Sequence, residues 1–191
     1  MERNVLVAVA EGSEELETVC IVDVLRRAGA KTILASVGNL TVNGSKGIKL
    51  TADRLLSACI TETYDLIALP GGMPGSEHLR DCAELIHALK RQRAEGRLYA
   101  AICAAPAVAL YPHGLLEGRR ATCHPNFAHL LSNVELLDAP VVVDGTCVTS
   151  RGAGTAVEFS LTLVEQLYGK QKAREVAKGI VFMRDSGSKA S

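Results

Sequence analysis

Cys103 sits in the run Leu98-Tyr99-Ala100-Ala101-Ile102-Cys103-Ala104-Ala105-Pro106. Apolar residues lead up to it, small residues flank it, and a proline follows. The pattern predicts a strand that ends at the cysteine and turns at once into a helix. A sulfur at a helix N-terminus meets unpaired backbone N–H groups, whose partial positive charge favours the thiolate. A thiolate on a sharp strand-to-helix elbow has the geometry of a nucleophile. The competing reading is a buried structural thiol, because unpaired cysteine is among the most buried residue types.

Three further features could complete a site around that sulfur. Glu17 follows the first apolar strand by less than two helical turns, and a carboxyl beside the sulfur could hold or shuttle a proton. Alternatively it is a solvated acid that favours its own helix N-terminus. Gly71-Gly72 follows another apolar run; its backbone could approach a reacting group and its N–H groups could stabilise an oxyanion. A plain tight turn is the other reading. His124, in Thr122-Cys123-His124-Pro125, could act as a base or serve as a surface or capping residue. No Asp or Asn can be assigned to orient it, so a protease-type triad does not follow. Ser150-Arg151-Gly152-Ala153-Gly154 is a glycine-rich lead-in to a helix that could line the pocket or meet an anion.

These residues need a frame that brings them together. Asn4–Ala10, Thr32–Val37, Asp65–Leu69 and Leu98–Ile102 are continuous apolar runs, as expected of strands buried on both faces. Between the first two, Ser13 is the expected N-cap of a helix that Gly29 ends. Leu16, Val19, Cys20 and Val24 are its expected apolar stripe. Strand–helix–strand order argues for a right-handed parallel unit. Asn43-Gly44 marks a hairpin within Leu40–Leu50, and Asp144-Gly145 marks another between Val141–Asp144 and Thr146–Thr149. Ala83–Arg93 reads as a helix, as does Pro106–Tyr111. After Gly154 comes a long helix whose buried stripe is Val157, Leu161, Val164 and Tyr168. The predicted fold is an α/β, flavodoxin-like sandwich with a mainly parallel central sheet and a nucleophile elbow. In such sheets ligands sit beyond the C-terminal strand ends. Glu11-Gly12, Gly71-Gly72 and Cys103 would all meet there.

The bulk composition narrows the function. With 191 residues, 48% hydrophobic and 22% charged, the chain suits one well-cored domain, expected over residues 1–184. Asp185 to Ser191 is read as a disordered tail. Lys plus Arg and Asp plus Glu both number 21, and this balance gives no reason to expect a nucleic-acid partner. No signal peptide and no membrane-length apolar run is read in the sequence. The six cysteines form no C-x-x-C pair, which argues against a metal ribbon or thioredoxin-type motif. Reduced thiols in the cytoplasm are expected.

Taken together, several segments resemble the DJ-one/ThiJ/PfpI superfamily, most closely its parkinsonism-associated protein deglycase branch. They are Glu11-Gly12-Ser13-Glu14-Glu15-Leu16-Glu17-Thr18, Asp23 to Gly29, Leu69-Pro70-Gly71-Gly72, Ala101-Ile102-Cys103-Ala104-Ala105-Pro106, His124-Pro125 and Thr149 to Thr155. They occur in order and span Val5 to about Gly169. The resemblance implies a homodimer in which a reactive cysteine, Cys103, is paired with a protonated glutamate, Glu17. It places the family histidine on His124 and the glycines bordering the sulfur on Gly71 and Gly72. Ala104 would supply a backbone N–H. Two departures stand out. The family's basic residue near the dimer contact falls on Lys46, and a nearby mammalian cysteine is replaced by Leu50. Conversely, Cys123 stands where the family often has threonine. It could resolve an oxidised Cys103 as a disulfide, or be an inert packed thiol.

The activity this implies is glutathione-independent glyoxalase or protein deglycase chemistry on a small dicarbonyl or a glycated protein, with no metal or organic cofactor, and a role in oxidative stress protection. Three rivals are carried alongside it. One is a non-enzymatic redox sensor and holdase chaperone acting through Cys103. Another is a cysteine peptidase, which needs His124 in reach of Cys103. A flavin- or nucleotide-binding module is disfavoured, because no G-x-G-x-x-G follows the first strand.

Overall fold

The computed structural model describes residues 2–182; the expected tail, Asp185 to Ser191, lies outside them. In chain order the elements begin with strand β1 (Asn4–Val9), helix α1 (Glu15–Arg27) and strand β2 (Lys31–Ser36). A hairpin of β3 (Thr41–Asn43) and β4 (Lys49–Thr51) follows, then the short β5 (Arg54–Leu55). Next come β6 (Leu66–Leu69), α2 (Gly75–Asp81), α3 (Ala83–Ala94) and β7 (Leu98–Ile102). The short pair β8 (Arg120–Ala121) and β9 (Glu135–Leu136) precedes the hairpin of β10 (Val141–Asp144) and β11 (Cys147–Ser150). Helices α4 (Ala156–Tyr168) and α5 (Lys170–Gly179) close the described chain.

Among the described residues, seven strands form the central sheet in the order β10-β11-β7-β6-β1-β2-β5. All neighbours run parallel except the β10–β11 hairpin. This is the expected flavodoxin-like sandwich. Side chains alternate across each strand, so the sheet feeds two cores. Leu6, Ala8, Ile67, Leu69, Tyr99 and Ala101 pack on the side of α2 and α3. Val5, Val7, Val9, Ala68, Ala100 and Ile102 face the side of α1 and α4. Two buried faces explain why these strands read as unbroken apolar runs.

Several local expectations are corrected. The N-cap of α1 is Glu14, whose Oε2 accepts the Glu17 N–H at 2.7 Å. Ser13 instead accepts the Ala10 N–H and ties the loop to the end of β1. The helical period of α1 is as expected but its face is rotated. Thr18, Ile21, Val24 and Leu25 are buried, whereas Leu16 and Val19 are 50% and 52% exposed. The rotation follows from Glu17, which is buried toward the sheet edge and takes Leu16 and Val19 to the opposite side. On α4, Leu161 and Val164 are buried as expected, together with Phe159, Leu163 and Leu167, whereas Val157 and Tyr168 are only half-buried. Asn43-Gly44 opens a longer loop, residues 44–48, rather than a two-residue turn. The segment after Cys103 is a single π-helical turn, Pro106–Leu110, continued by a 3₁₀ turn, Tyr111–His113, not a regular helix. Helices α2 and α5 come in addition to the elements expected.

Helix α4 packs against α1, and Phe159 is fully buried in that contact region. Phe159→Ala should lower unfolding free energy by about 3–5 kcal/mol in urea denaturation. A loss below about 1 kcal/mol would contradict this packing.

Candidate active site

Strand pairing sets Cys103 between two glycine turns. At the end of β7, Ala101 pairs with Leu69 of β6, and Ile102 pairs with Ser150 of β11. The next residues on the three strands therefore leave the sheet side by side. The Cys103 N–H donates to Ser150 O at 3.0 Å, and Cys103 O accepts the His124 N–H at 2.8 Å. With both backbone groups fixed, Cys103 is held at a φ of 66°, a left-handed conformation that is strained for any side chain. The sulfur is thus turned out of the strand onto the expected elbow.

The elbow requires close backbone on its β6 side. A Cβ at Gly71 would lie 2.5 Å from Cys103 Cβ and 2.9 Å from Ile102 O, so only glycine fits. On the other side the approach is looser. A Cβ at Gly152 would lie 3.4 Å from the His124 ring and 3.9 Å from Cys103 Sγ. Gly152 therefore stands where the histidine and the sulfur come together.

Glu17 is fully buried on the inner side of α1. Its Oε2 accepts the Gly71 N–H at 2.7 Å. Its Oε1 has no hydrogen-bond partner, although the carboxyl interacts with the Cys103 thiol. Burial raises its pKa from the ordinary 4.5 to about 7, against the pull of the Gly71 N–H and Cys103. Cys103 is pushed up to about 12, first by burial and then by the neighbouring Glu17 carboxylate. The backbone N–H groups of Gly72 and Ala104 pull the other way. Two such groups cannot both ionise in one buried space. Burial therefore holds the proton on Glu17 up to about neutrality, and in that form the carboxyl is a donor next to the Cys103 thiol. The expected pull of backbone N–H groups toward the thiolate is present at Gly72 and Ala104, but burial outweighs it.

The two glycines also divide their work. The Gly71 N–H is committed to Glu17, so it is not free for an oxyanion; the Gly72 and Ala104 N–H groups are the ones directed at the sulfur. The His124 ring does not orient Cys103. Its Nδ1 accepts the Asn126 N–H at 3.3 Å, capping a 3₁₀ segment, Pro125–Leu130. Among the described residues it makes no hydrogen bond to the Cys103 sulfur. Beside it, a cleft of about 550 Å³ lies between His124, Pro140, Arg151 and Thr155. Arg151 pairs with Asp138. A larger cleft, about 700 Å³, lies away from this chemistry between α4 and α5. All six cysteines are unpaired. The buried Cys123 thiol donates to His124 O at 3.4 Å, and burial pushes its pKa up to about 11.

Sequence reasoning misses Glu15. It is buried beside the hairpin loop, with its carboxylate accepting N–H groups from Lys46 and Ile48. The pair of acids around Leu16 is the one signal in the sequence that an acid turns inward here.

Comparison with known proteins gives a consistent pattern. The profile described as "DJ-1/PfpI family" matches residues 3–166. DJ-1 homolog B of Arabidopsis thaliana is 49% identical over 187 residues, covering 97% of this chain and 43% of that relative. The chain thus spans less than half the length of that relative. The protein named glutathione-independent glyoxalase DJR-1.2 in Caenorhabditis elegans is 36% identical, covering 91% of this chain and 93% of its own. The solved structure of oxidized DJ-1 from Toxoplasma gondii superposes with a TM-score of 0.93 at 46% identity, covering 95% of this chain and all of that one.

The raised Glu17 pKa has a signed consequence for stability. Between 4.5 and about 7 the folded protein retains a proton that the unfolded chain releases. Stability is therefore greatest below that window and falls as pH rises through it, by roughly 3 kcal/mol at about 1.4 per unit. Glu17→Gln removes this contribution. Urea denaturation from about pH 4.5 to 8 should show the variant gaining on the wild type as pH rises. Parallel curves would show that Glu17 titrates normally.

Proposed function

The chain belongs to the DJ-1/PfpI family, and from that premise we propose a cysteine-dependent, glutathione-independent glyoxalase. Its substrates are methylglyoxal, glyoxal and their adducts on proteins, as a protein deglycase. The observation that carries this reading is the fully buried Glu17 carboxyl, held by the Gly71 N–H at 2.7 Å and interacting with a Cys103 thiol that the elbow holds at a φ of 66°.

The chemistry follows from that arrangement. The Cys103 thiolate attacks the aldehyde carbon, and Glu17 delivers its proton to the forming oxygen, giving a hemithioacetal. Glu17 then takes the proton from that carbon and returns one to the neighbouring carbon. The carbonyl moves with it, and the adduct becomes a thioester of lactate. Water cleaves the thioester, releasing lactate and restoring the thiol. Overall, methylglyoxal and water become lactate and a proton, with no external oxidant or reductant. The Gly72 and Ala104 N–H groups stabilise the developing oxyanions. Gly71 holds the carboxyl in place, and His124 lines the approach to the sulfur. On a glycated side chain the same steps would release the free amine.

The orphan Oε1 also favours a second reading. Protonated Glu17 could donate to an oxygen of a Cys103 sulfinate, which would suit an oxidation sensor with holdase action under oxidative stress. We further infer a single domain over residues 1–184 that acts as a homodimer. Leu16, Val19 and Ile48 are exposed, at 50%, 52% and 61%, and the Ile48 N–H bond to Glu15 sets the β3–β4 loop against the start of α1, which supports an apolar interaction face there. The unpaired thiols suit the reducing cytoplasm. Among the described residues no helix is long and apolar enough to cross a membrane.

Lactate should form from methylglyoxal without glutathione, and Cys103→Ala should abolish it. Glu17→Gln should slow it about 10²–10⁴-fold, the usual contribution of general acid–base catalysis. Turnover retained in Cys103→Ala would reject the mechanism. Stoichiometric Cys103 oxidation by peroxide, seen by mass spectrometry without any lactate, would favour the sensor. In sedimentation, the wild type should have the mass of two chains and Val19→Glu that of one. A one-chain wild type would exclude the dimer.

A further inference from the structure

Glu15 and Glu17 lie in the same first turn of α1 and are both buried, yet they serve different neighbours. Glu17 reaches Gly71 and the sulfur. Glu15 reaches away, into the β3–β4 hairpin. Its Oε1 accepts the Lys46 N–H at 2.8 Å and the Ile48 N–H at 3.0 Å, and its Oε2 accepts the Ser45 hydroxyl at 3.4 Å. The loop closes tightly over this carboxylate. A Cβ at Gly44 would lie 2.1 Å from Glu15 Cδ.

The clasp continues toward the active site. Ser45 N–H donates to Ser13 O, Gly12 N–H donates to Asn43 O, and Glu14 N–H donates to Gly71 O. Gly71 in turn donates to Glu17. On its outer side the same loop carries Ile48, exposed like Leu16 and Val19. A short, fully bonded path therefore joins this loop to the Glu17 carboxyl beside Cys103.

We propose that Glu15 is a positioning residue, tying the 44–48 loop to Glu17 so that packing of this face against a second copy sets the reactivity of Cys103. The second copy rests on the homodimer reading above; the positioning role does not. A buried carboxylate held by backbone N–H groups fixes both partners, because releasing either leaves donors unsatisfied. The groups that face the Glu17–Cys103 proton are Glu14 and Cys20 from α1 and His124 across Gly152. None is altered by changing Glu15.

The test is the pH profile of Cys103 alkylation by iodoacetamide, followed by mass spectrometry of the Cys103 peptide without any carbonyl substrate. Glu15→Gln should move the midpoint upward and slow alkylation at neutral pH about 2- to 30-fold, the range of coupling through packed networks. Glu11→Gln is the control: it weakens the same hairpin, through Asn43, from outside α1. Its profile should match the wild type. Ile48→Glu, which breaks the face, should reproduce the Glu15→Gln profile, and the double variant should go no further. If Glu15→Gln fails to fold, Gly44→Ala disturbs the same clasp from the hairpin side and should give the same shift. A wild-type profile for Glu15→Gln, or equal shifts for Glu15→Gln and Glu11→Gln, overturns the positioning role. Additive effects, or a one-chain wild type in sedimentation, overturn the role of the second copy. A lack of lactate formation would count only against the glyoxalase reading.

Discussion

A fully buried carboxyl, Glu17, held by a backbone N–H next to the Cys103 thiol, is the constraint that the rest of the site is arranged around. Glu17 would be an ordinary first-turn acid if it faced water. Turned inward, it is kept near neutrality by desolvation and fixed by one backbone N–H from Gly71. That requirement propagates outward. It goes with a rotation of α1 that leaves Leu16 and Val19 facing solvent, while the Cys103 elbow beside it demands glycine at position 71.

The sheet supplies the other half of the geometry. Parallel strands leave β6, β7 and β11 at one edge, and their first residues beyond the sheet become neighbours whatever their separation in sequence. Both cores bury strand side chains completely, so this edge has a rigid base. A strained cysteine conformation persists only where its surroundings over-determine it. Here one hydrogen bond to Ser150 O and one from His124 N–H do so.

Much of this is legible in the residues, for a physical reason. Strands buried on both faces announce themselves as apolar runs, and β1, β2, β6 and β7 fall close to the boundaries read from those runs. Cys103, Gly71 and Gly72 are legible as strand-end residues with the right chemistry. What escapes depends on tertiary partners. Helix α2 starts with Pro74-Gly75 and has one apolar anchor of note, Leu79. Helix α5 is half charged and buries only Ala173 and Val176. The facing of α1 does not follow from its period, because a run with two buried acids and two exposed aliphatics inverts the usual rule. Glu17 is legible as a candidate from its place after the first strand, and the family resemblance pairs it with Cys103; Glu15 is not legible at all, because a hairpin some thirty residues later provides its partners.

The left-handed backbone at Cys103 has an implication for how such a chain ages over generations. A side chain there carries about 1–2 kcal/mol of strain that glycine would not. Stability alone therefore draws position 103 toward glycine, and only demand for the sulfur opposes it. Cysteine at that position thus stands against the preference of the backbone that holds it.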